Sequence, residues 1–351
     1  MSARAGLGIQ RWTPLSAAAV AGLGTLAVAL AFGPLYLGAN AVDRLTTLFI
    51  YVILAVMWNA LAGYGGLVSV GQQAFFGAGA YAAIRLSSFG VDVYFALALG
   101  GVFAGLVALA LSSFALRLRG GEFAIGMWVL AELFHLLVNL DRLIQGETGT
   151  SLIALNAFGP AARRDYNYWL ALAVMAGLVA LMFALLRGRL GSSVQAIRDS
   201  EEAAASLGVR VLTTKRILFV VAGAGSGLAG TLYLATSISF QPATYFGVQW
   251  TAYMVFMALV GGLGTFEGPI IGALVFFALE SLFGASGVWY LVGLGATAVV
   301  FALYLPRGLW GTLEERFGVR LLPVGYRVRA REPAAGSRPP RQEGTSRDSR
   351  L

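Results

Sequence analysis

The chain has 351 residues, 58% hydrophobic and 12% charged, with a mean hydropathy of +0.75. Soluble domains carry about 25% charged and 45–50% apolar residues, so a water-soluble globular protein is excluded. There are no cysteines, which removes disulfides, thiolate metal sites and cysteine nucleophiles. His135 is the single histidine, so no multi-histidine metal set exists, and Lys215, the single lysine, is not preceded by the glycine of a GK[ST] phosphate loop. Any ATP that drives this protein is bound by another chain.

Apolar runs fall at about 14–36, 44–62, 66–85, 93–116, 122–140, 168–186, 216–237, 248–265, 268–284 and 288–305. At about 20 residues per transmembrane helix, they predict an all-α polytopic transmembrane helical bundle of about ten spans. The first run is followed by Ala39-Asn40-Ala41, which has the form of a cleavage site. Its length exceeds the 7–15 residues of a signal h-region, so it reads as an uncleaved anchor. The third run holds Gln72, Gln73 and several glycines, and is predicted to be broken or partly re-entrant.

The net charge of +8 is explained by topology. With ten spans and both termini cytoplasmic, 20 of the 25 basic residues lie inside, as the positive-inside rule requires. Nucleic acid is therefore not an expected partner; the lipid bilayer is. The permease domain is expected over 1–311, with a long outer segment at 141–167 and a cytoplasmic loop at 187–215. A basic tail occupies 312–351, and its Pro, Gly, Ser and Arg content beyond about Glu332 predicts disorder.

The internal loop carries a helix signal at both ends. Asp199 can cap the turn that begins at Ser200, with Glu202 reaching back as in a capping box, and Glu201 and Glu202 complement the helix dipole. Gly208 suits a left-handed C′ position. Ile197, Ala204 and Leu207 can share a face, so this helix is either an ordinary capped surface helix or one that lies in a groove of another protein.

Polar groups inside apolar runs need partners. Glu132 and His135 stand i, i+3 and can pair on one helix face, and Glu280 needs a partner from elsewhere. Ser69, Gln72 and Gln73 sit among glycines at membrane depth, where they either line a pathway or join helices by hydrogen bonds. The run Gly225-Ser226-Gly227-Leu228-Ala229-Gly230 spells a dinucleotide fingerprint, but inside an apolar helix with no preceding strand it reads as a helix-packing face.

Glu202-Ala203-Ala204, three residues and Gly208 resemble the Glu-Ala-Ala signature in the cytoplasmic loop of bacterial ABC importer permeases. Asn59 to Gln72, running on into Ala74-Phe75-Phe76-Gly77-Ala78-Gly79-Ala80-Tyr81, is very similar to the branched-chain amino acid permeases. So are Leu116-Arg117-Leu118-Arg119-Gly120, Ala196-Ile197-Arg198-Asp199, Gly261-Gly262-Leu263-Gly264-Thr265-Phe266-Glu267-Gly268-Pro269 and Pro306-Arg307-Gly308-Leu309. The similarity runs from about 45 to 311, in the order of the family's M-type subunit. Gln72-Gln73 stands where many relatives have His-Ala, and relatives in the same superfamily carry urea and short amides.

The resemblance implies a permease subunit without its own ATPase site and without a cofactor or metal, in the bacterial inner membrane. It translocates branched-chain amino acids or a similar small polar solute. The implied partners are an H-type sister permease, two cytoplasmic ATPase subunits and an extracytoplasmic solute-binding protein. Asp199, Glu202, Ala203, Ala204 and Gly208 are then the residues that couple to the ATPase, and Ser69, Gln72, Gln73 and Glu132 are candidates for the solute pathway. The alternative is a stand-alone passive channel for a small polar solute.

Overall fold

A computed structural model describes residues 7–10, 14–317, 321–322 and 327–330. The short strand β1 (Leu7–Gln10) precedes α1 (Pro14–Ala31), α2 (Gly33–Tyr36) and α3 (Ala39–Asn59). A π-helical turn, Ala60–Tyr64, ends α3. Then come α4 (Gln73–Ser88), α5 (Val93–Ala115) and α6 (Gly121–Asn139). The strand β2 (Thr150–Ser151) lies between two 3₁₀ turns, Gly146–Thr148 and Ile153–Ala157. The long α7 (Pro160–Arg187) leads into α8 (Arg189–Asp199), α9 (Glu201–Ser206) and α10 (Val211–Ser237). After β3 (Ser239–Phe240) come α11 (Pro242–Tyr245), α12 (Gln249–Gly261), α13 (Gly268–Phe283), α14 (Val288–Tyr304), α15 (Gly308–Phe317) and β4 (Arg327–Ala330).

Every apolar run contains a helix, and among the described residues seven helical segments are long and apolar enough to cross a membrane. Ser16–Ala31 and Gly268–Phe283 are apolar but shorter. The third run is divided: α4 starts only at Gln73, and the stretch before it, buried at Leu67, Ser69, Gly71 and Gln72 but exposed at Val68, is not helical. The tail beyond 332, where disorder is expected, lies outside the described residues. β1 and β4 pair antiparallel, Leu7 opposite Ala330, and so bring the two end segments side by side.

The first run breaks for a reason written in its sequence. Pro34 has no N–H, so the Leu30 carbonyl one turn back loses its donor. Buried Tyr168 of α7 supplies one, its hydroxyl donating to Leu30 O at 2.7 Å, and Trp169 Nε1 donates to Ala31 O at 2.9 Å. Gly33 leaves room for this, since a Cβ there would meet the Tyr168 hydroxyl.

The core is built on α3, buried continuously from Phe49 to Trp58. Beside it α4, α5 and α10 pack at backbone distance: a Cβ at Gly79 would strike Gly227, and one at Gly230 would strike the Phe76 carbonyl. Small residues permit this close approach in apolar surroundings. The GxGxxG letters of α10 thus form a packing face. On the other flank α12 and α13 pack together and against α3.

Candidate coupling surface and buried polar segment

At one end of the bundle, α8 and α9 form an elbow. Asp199 is not the cap of α9. It is the last residue of α8, whose buried Val194 and Ile197 hold the helix through that turn. Ser200 takes the extended conformation between the helices and its Oγ accepts from Ala203 N at 3.3 Å. The capping shifts by one residue, so Glu202 cannot reach back as a capping box requires.

The far end of α9 is as the sequence indicates. Gly208 has φ +82°, its N–H donates to Ala205 O at 2.9 Å, and Val209 N donates to Ala204 O at 3.0 Å. These are the two bonds of a Schellman motif. Lys215 Nζ reaches Glu201 Oε2 at 2.6 Å and ties α9 to the start of α10.

The expected apolar face is divided. Ile197 and Ala204 are buried within this chain, whereas Leu207 is 83% exposed. Ala204 is therefore not on the outer surface; a helix of fewer than two turns packs its inner side on α8 and α10 and presents Glu202, Ala203 and Leu207 outward.

Behind this elbow lies the loop between α12 and α13. The Arg198 guanidinium and the Gly63 carbonyl fill the space beside Gly264, which has φ +77°. The Asn59 amide grips the same loop twice, donating to Thr265 O at 2.9 Å and accepting from Gly264 N at 2.8 Å. In the sequence Asn59 stands out only as the start of a motif, because its partners lie more than 200 residues away. Glu267, in the same loop, accepts from Leu322 N at 2.7 Å. Burial pushes its carboxyl above the ordinary range, outweighing the hydrogen bonds that act the other way.

The non-helical stretch before α4 is held by its own polar groups. Trp58 Nε1 donates to Ser69 O at 2.9 Å, and Gly71 N donates to Ser69 Oγ at 3.3 Å. Gln72 Nε2 donates to Ser226 Oγ of α10 at 3.0 Å, and Gln73 Oε1 accepts from Thr251 of α12. Ser69, Gln72 and Gln73 are all fully buried. In this conformation they join helices. One lone atom breaks the pattern: Gln72 Oε1 is buried with no hydrogen-bond partner. Gly71 is required where it stands, because a Cβ would run into the Met127 carbonyl of α6.

At the opposite end, Glu132 and His135 do pair, at 3.1 Å. The sequence reading missed the third member, Glu147, a loop residue whose reach is set by the fold. It accepts from His135 Nε2 at 2.7 Å, from Asn139 Nδ2 at 2.5 Å and from Ala243 N at 3.0 Å. Burial would raise its carboxyl, but these bonds prevail and hold it below the ordinary range. The two-residue pairing of β2 with β3 continues the same attachment. Nearby, Asp141 takes Arg85 at 2.8 Å and the Tyr81 hydroxyl at 2.6 Å. Against a raising effect of burial, these bonds and one from the Leu143 amide keep Asp141 below the ordinary range. Within the bundle, Glu280 finds its partner in the Tyr51 hydroxyl at 2.6 Å.

The high-affinity branched-chain amino acid transport system permease protein LivM of Salmonella typhimurium is 27% identical over 311 residues, covering 81% of this chain and 73% of LivM. The L-arabinose transport system permease protein AraH of Escherichia coli is 29% identical over 172 residues, 47% of each chain. A metal-chelate-type ABC transporter solved in an inward-facing conformation overlaps 86% of this chain and 99% of its own, with 18% identity and a TM-score of 0.46. The family model described as "Branched-chain amino acid transport system / permease component" matches residues 40–305, which take in α3 through α14. The chain is a multi-pass ABC transporter permease and belongs to the branched-chain amino acid transport system permease family.

Proposed function

We propose that this chain is one of the two membrane-spanning subunits of an ATP-driven importer in the bacterial inner membrane, with branched-chain amino acids or a similar small polar solute as its cargo. Its partners in this reading are an H-type sister permease, two cytoplasmic ATPase subunits and an extracytoplasmic binding protein. About ten helices span the bilayer, both termini are cytoplasmic, and the elbow within 187–215 faces the ATPase.

The observation that carries the reading is α9. It is closed at both ends by its own residues, anchored by the Glu201–Lys215 pair, and displays Glu202, Ala203 and Leu207. A helix of six residues is not stable alone; this one is held as a rigid knob. Movement of the knob reaches the bundle through Arg198, the Gly264 loop and Asn59 on α3.

The permease makes and breaks no covalent bond. ATP-driven closure of the ATPase pair biases one of two helix packings, and the loaded binding protein biases the other. Such a system requires two arrangements of similar free energy rather than a reactive group.

Tagging the chain in its native cell and extracting it in mild detergent tests the assembly. A second permease and an ATPase are expected to co-purify, with the ATPase lost in Glu202→Arg. Recovery of the well-folded chain alone across several detergents overturns the importer reading in favour of a passive channel. Leucine and arabinose uptake, with and without the chain, test the solute class. Chain-dependent arabinose uptake without leucine uptake overturns the amino-acid reading.

A further inference from the structure

A second polar site lies at the end of the bundle remote from α9. It is a cavity of about 330 Å³ between the first turns of α3 and α7 and the last turn of α10. The volume is at the lower end of the range for small-molecule sites. On α3, Thr46 of this cavity lies 13 residues from Asn59, which holds the Gly264 loop, about 20 Å along the helix at 1.5 Å per residue.

The floor is made of hydrogen-bond acceptors. Asn167 is 5% exposed, and its Nδ2 donates to Ala235 O at 2.8 Å, which fixes the amide orientation because a carbonyl only accepts. Its Oδ1 is buried and has no partner. Beside it, the Thr46 hydroxyl is 2% exposed and donates its proton to Val42 O at 2.9 Å, so only lone pairs remain for a ligand. Thr47, also lining the cavity, spends its proton on Asp43 O at 3.2 Å in the same way. At the rim the Asp43 carboxylate adds a negative charge and has no ion pair among the described residues.

Donors come from α7. Arg163 lines the cavity with no ion pair among the described residues. Arg164 Nε is buried without a hydrogen-bond partner; its ion pair with the adjacent Asp165 is long, at 4.0 Å. Two half-buried guanidiniums therefore face a set of acceptors that one another's side chains do not satisfy. A buried polar group without a partner is unfavourable, and a ligand carrying both a cation and an anion relieves both sides together.

We infer that this cavity binds the zwitterionic head of a free α-amino acid, its ammonium on Asn167 Oδ1, the Thr46 oxygen and Asp43, and its carboxylate on Arg163 and Arg164. This deepens the proposed amino-acid function and rests on it for the solute class. It places recognition of the charged head, common to all such solutes, on the permease itself. An anion alone leaves the floor unfilled, and a cation alone meets two arginines.

The test uses the full chain with whatever co-purifies, in lipid nanodiscs, and measures binding of L-leucine, L-leucinamide and N-acetyl-L-leucine. Leucine is expected to bind at least ten-fold more tightly than either blocked analogue. Arg163→Gln is expected to weaken leucine by about 10- to 100-fold and to leave leucinamide unchanged. Asp43→Asn is expected to weaken leucine and leave N-acetyl-L-leucine unchanged. Both residues sit at the rim, and unaltered melting temperatures show that the variants fold.

Leucine binding that ignores both substitutions and the ranking of analogues overturns the site. Absence of binding by any standard amino acid overturns it too. Chain-dependent leucine uptake is scored separately, so an intact uptake with normal Arg163→Gln and Asp43→Asn variants sinks this inference while the importer reading stands.

Discussion

The side-chain amide of Asn59 replaces a backbone partner for the loop between α12 and α13, accepting from Gly264 N at 2.8 Å while donating to the adjacent Thr265 carbonyl at 2.9 Å. One α3 side chain thereby fixes a loop that also abuts Arg198 of the elbow. Asn59→Ala leaves a backbone donor and a carbonyl without their partner, at about 1–3 kcal/mol each when buried. A fall in detergent melting temperature is expected. In the proposed importer, ATP hydrolysis should also become less dependent on solute. An unchanged melting temperature would show that the loop is held by other means.

Burial separates two neighbouring alanines that the sequence treats alike. Ala204→Trp forces an indole into this chain's own packing, and overpacking typically costs about 1–3 kcal/mol. Ala203→Trp and Leu207→Asp act on exposed positions and are expected to leave the melting temperature within measurement error. Both should nonetheless reduce ATPase recovery in co-purification. If Ala203→Trp retains full recovery, the outward side of α9 is not the docking side.

Gln72 and Ser226 form a buried pair with one acceptor already orphaned. Ser226→Ala alone removes the partner of Gln72 Nε2 and is expected to destabilise by about 1–2 kcal/mol. Combining it with Gln72→Leu deletes both polar groups and should recover most of that loss, as a double-mutant cycle in thermal unfolding would report. If the double variant is folded but transports poorly, the glutamine matters to the solute and not only to helix packing.

Glu147 makes the attachment of the loop between α6 and α7 dependent on acid. Its carboxyl is held below the ordinary range, so its contribution is present above the unfolded value of about 4.3 and disappears as pH falls through the lower folded value. Between pH 7 and 5 the loop is therefore expected to stay attached, and to release only in acid below the ordinary carboxylate range. A spin label on Ser151→Cys, in a chain otherwise free of cysteine, should gain mobility only in that acidic range. Glu147→Gln should make the label mobile at neutral pH as well.

The sequence carries the helices and the chemistry of their ends, but not their mutual register. The ten apolar runs stand out because hydropathy accumulates over each of them, and Gly208 stands out because a left-handed turn favours glycine. Asp199 and Ser200 both suit a cap, and only the packing of Ile197 decides between them. The Glu132–His135 pair is local and visible; Glu147 is not, since its place depends on how residues 140–149 fold back. The Gln72–Ser226, Asn59–Gly264 and Tyr168–Leu30 bonds all join residues more than 130 positions apart. No periodicity encodes such partners.

The break at Pro34 has a consequence for the order in which the protein is made. The Leu30 carbonyl is exposed as soon as the first apolar segment leaves the ribosome, but its donor, Tyr168, is synthesised 138 residues later. Until α7 has entered the bilayer the amino-terminal helix lacks its dock, and it must wait at the lipid boundary. Truncations ending before residue 168 should leave that helix open to cross-linking with lipid or the insertion machinery, whereas chains extended through α7 should shield it. Assembly of this bundle is therefore not a simple addition of helices from first to last: the first apolar helix settles only once the chain has been made through α7.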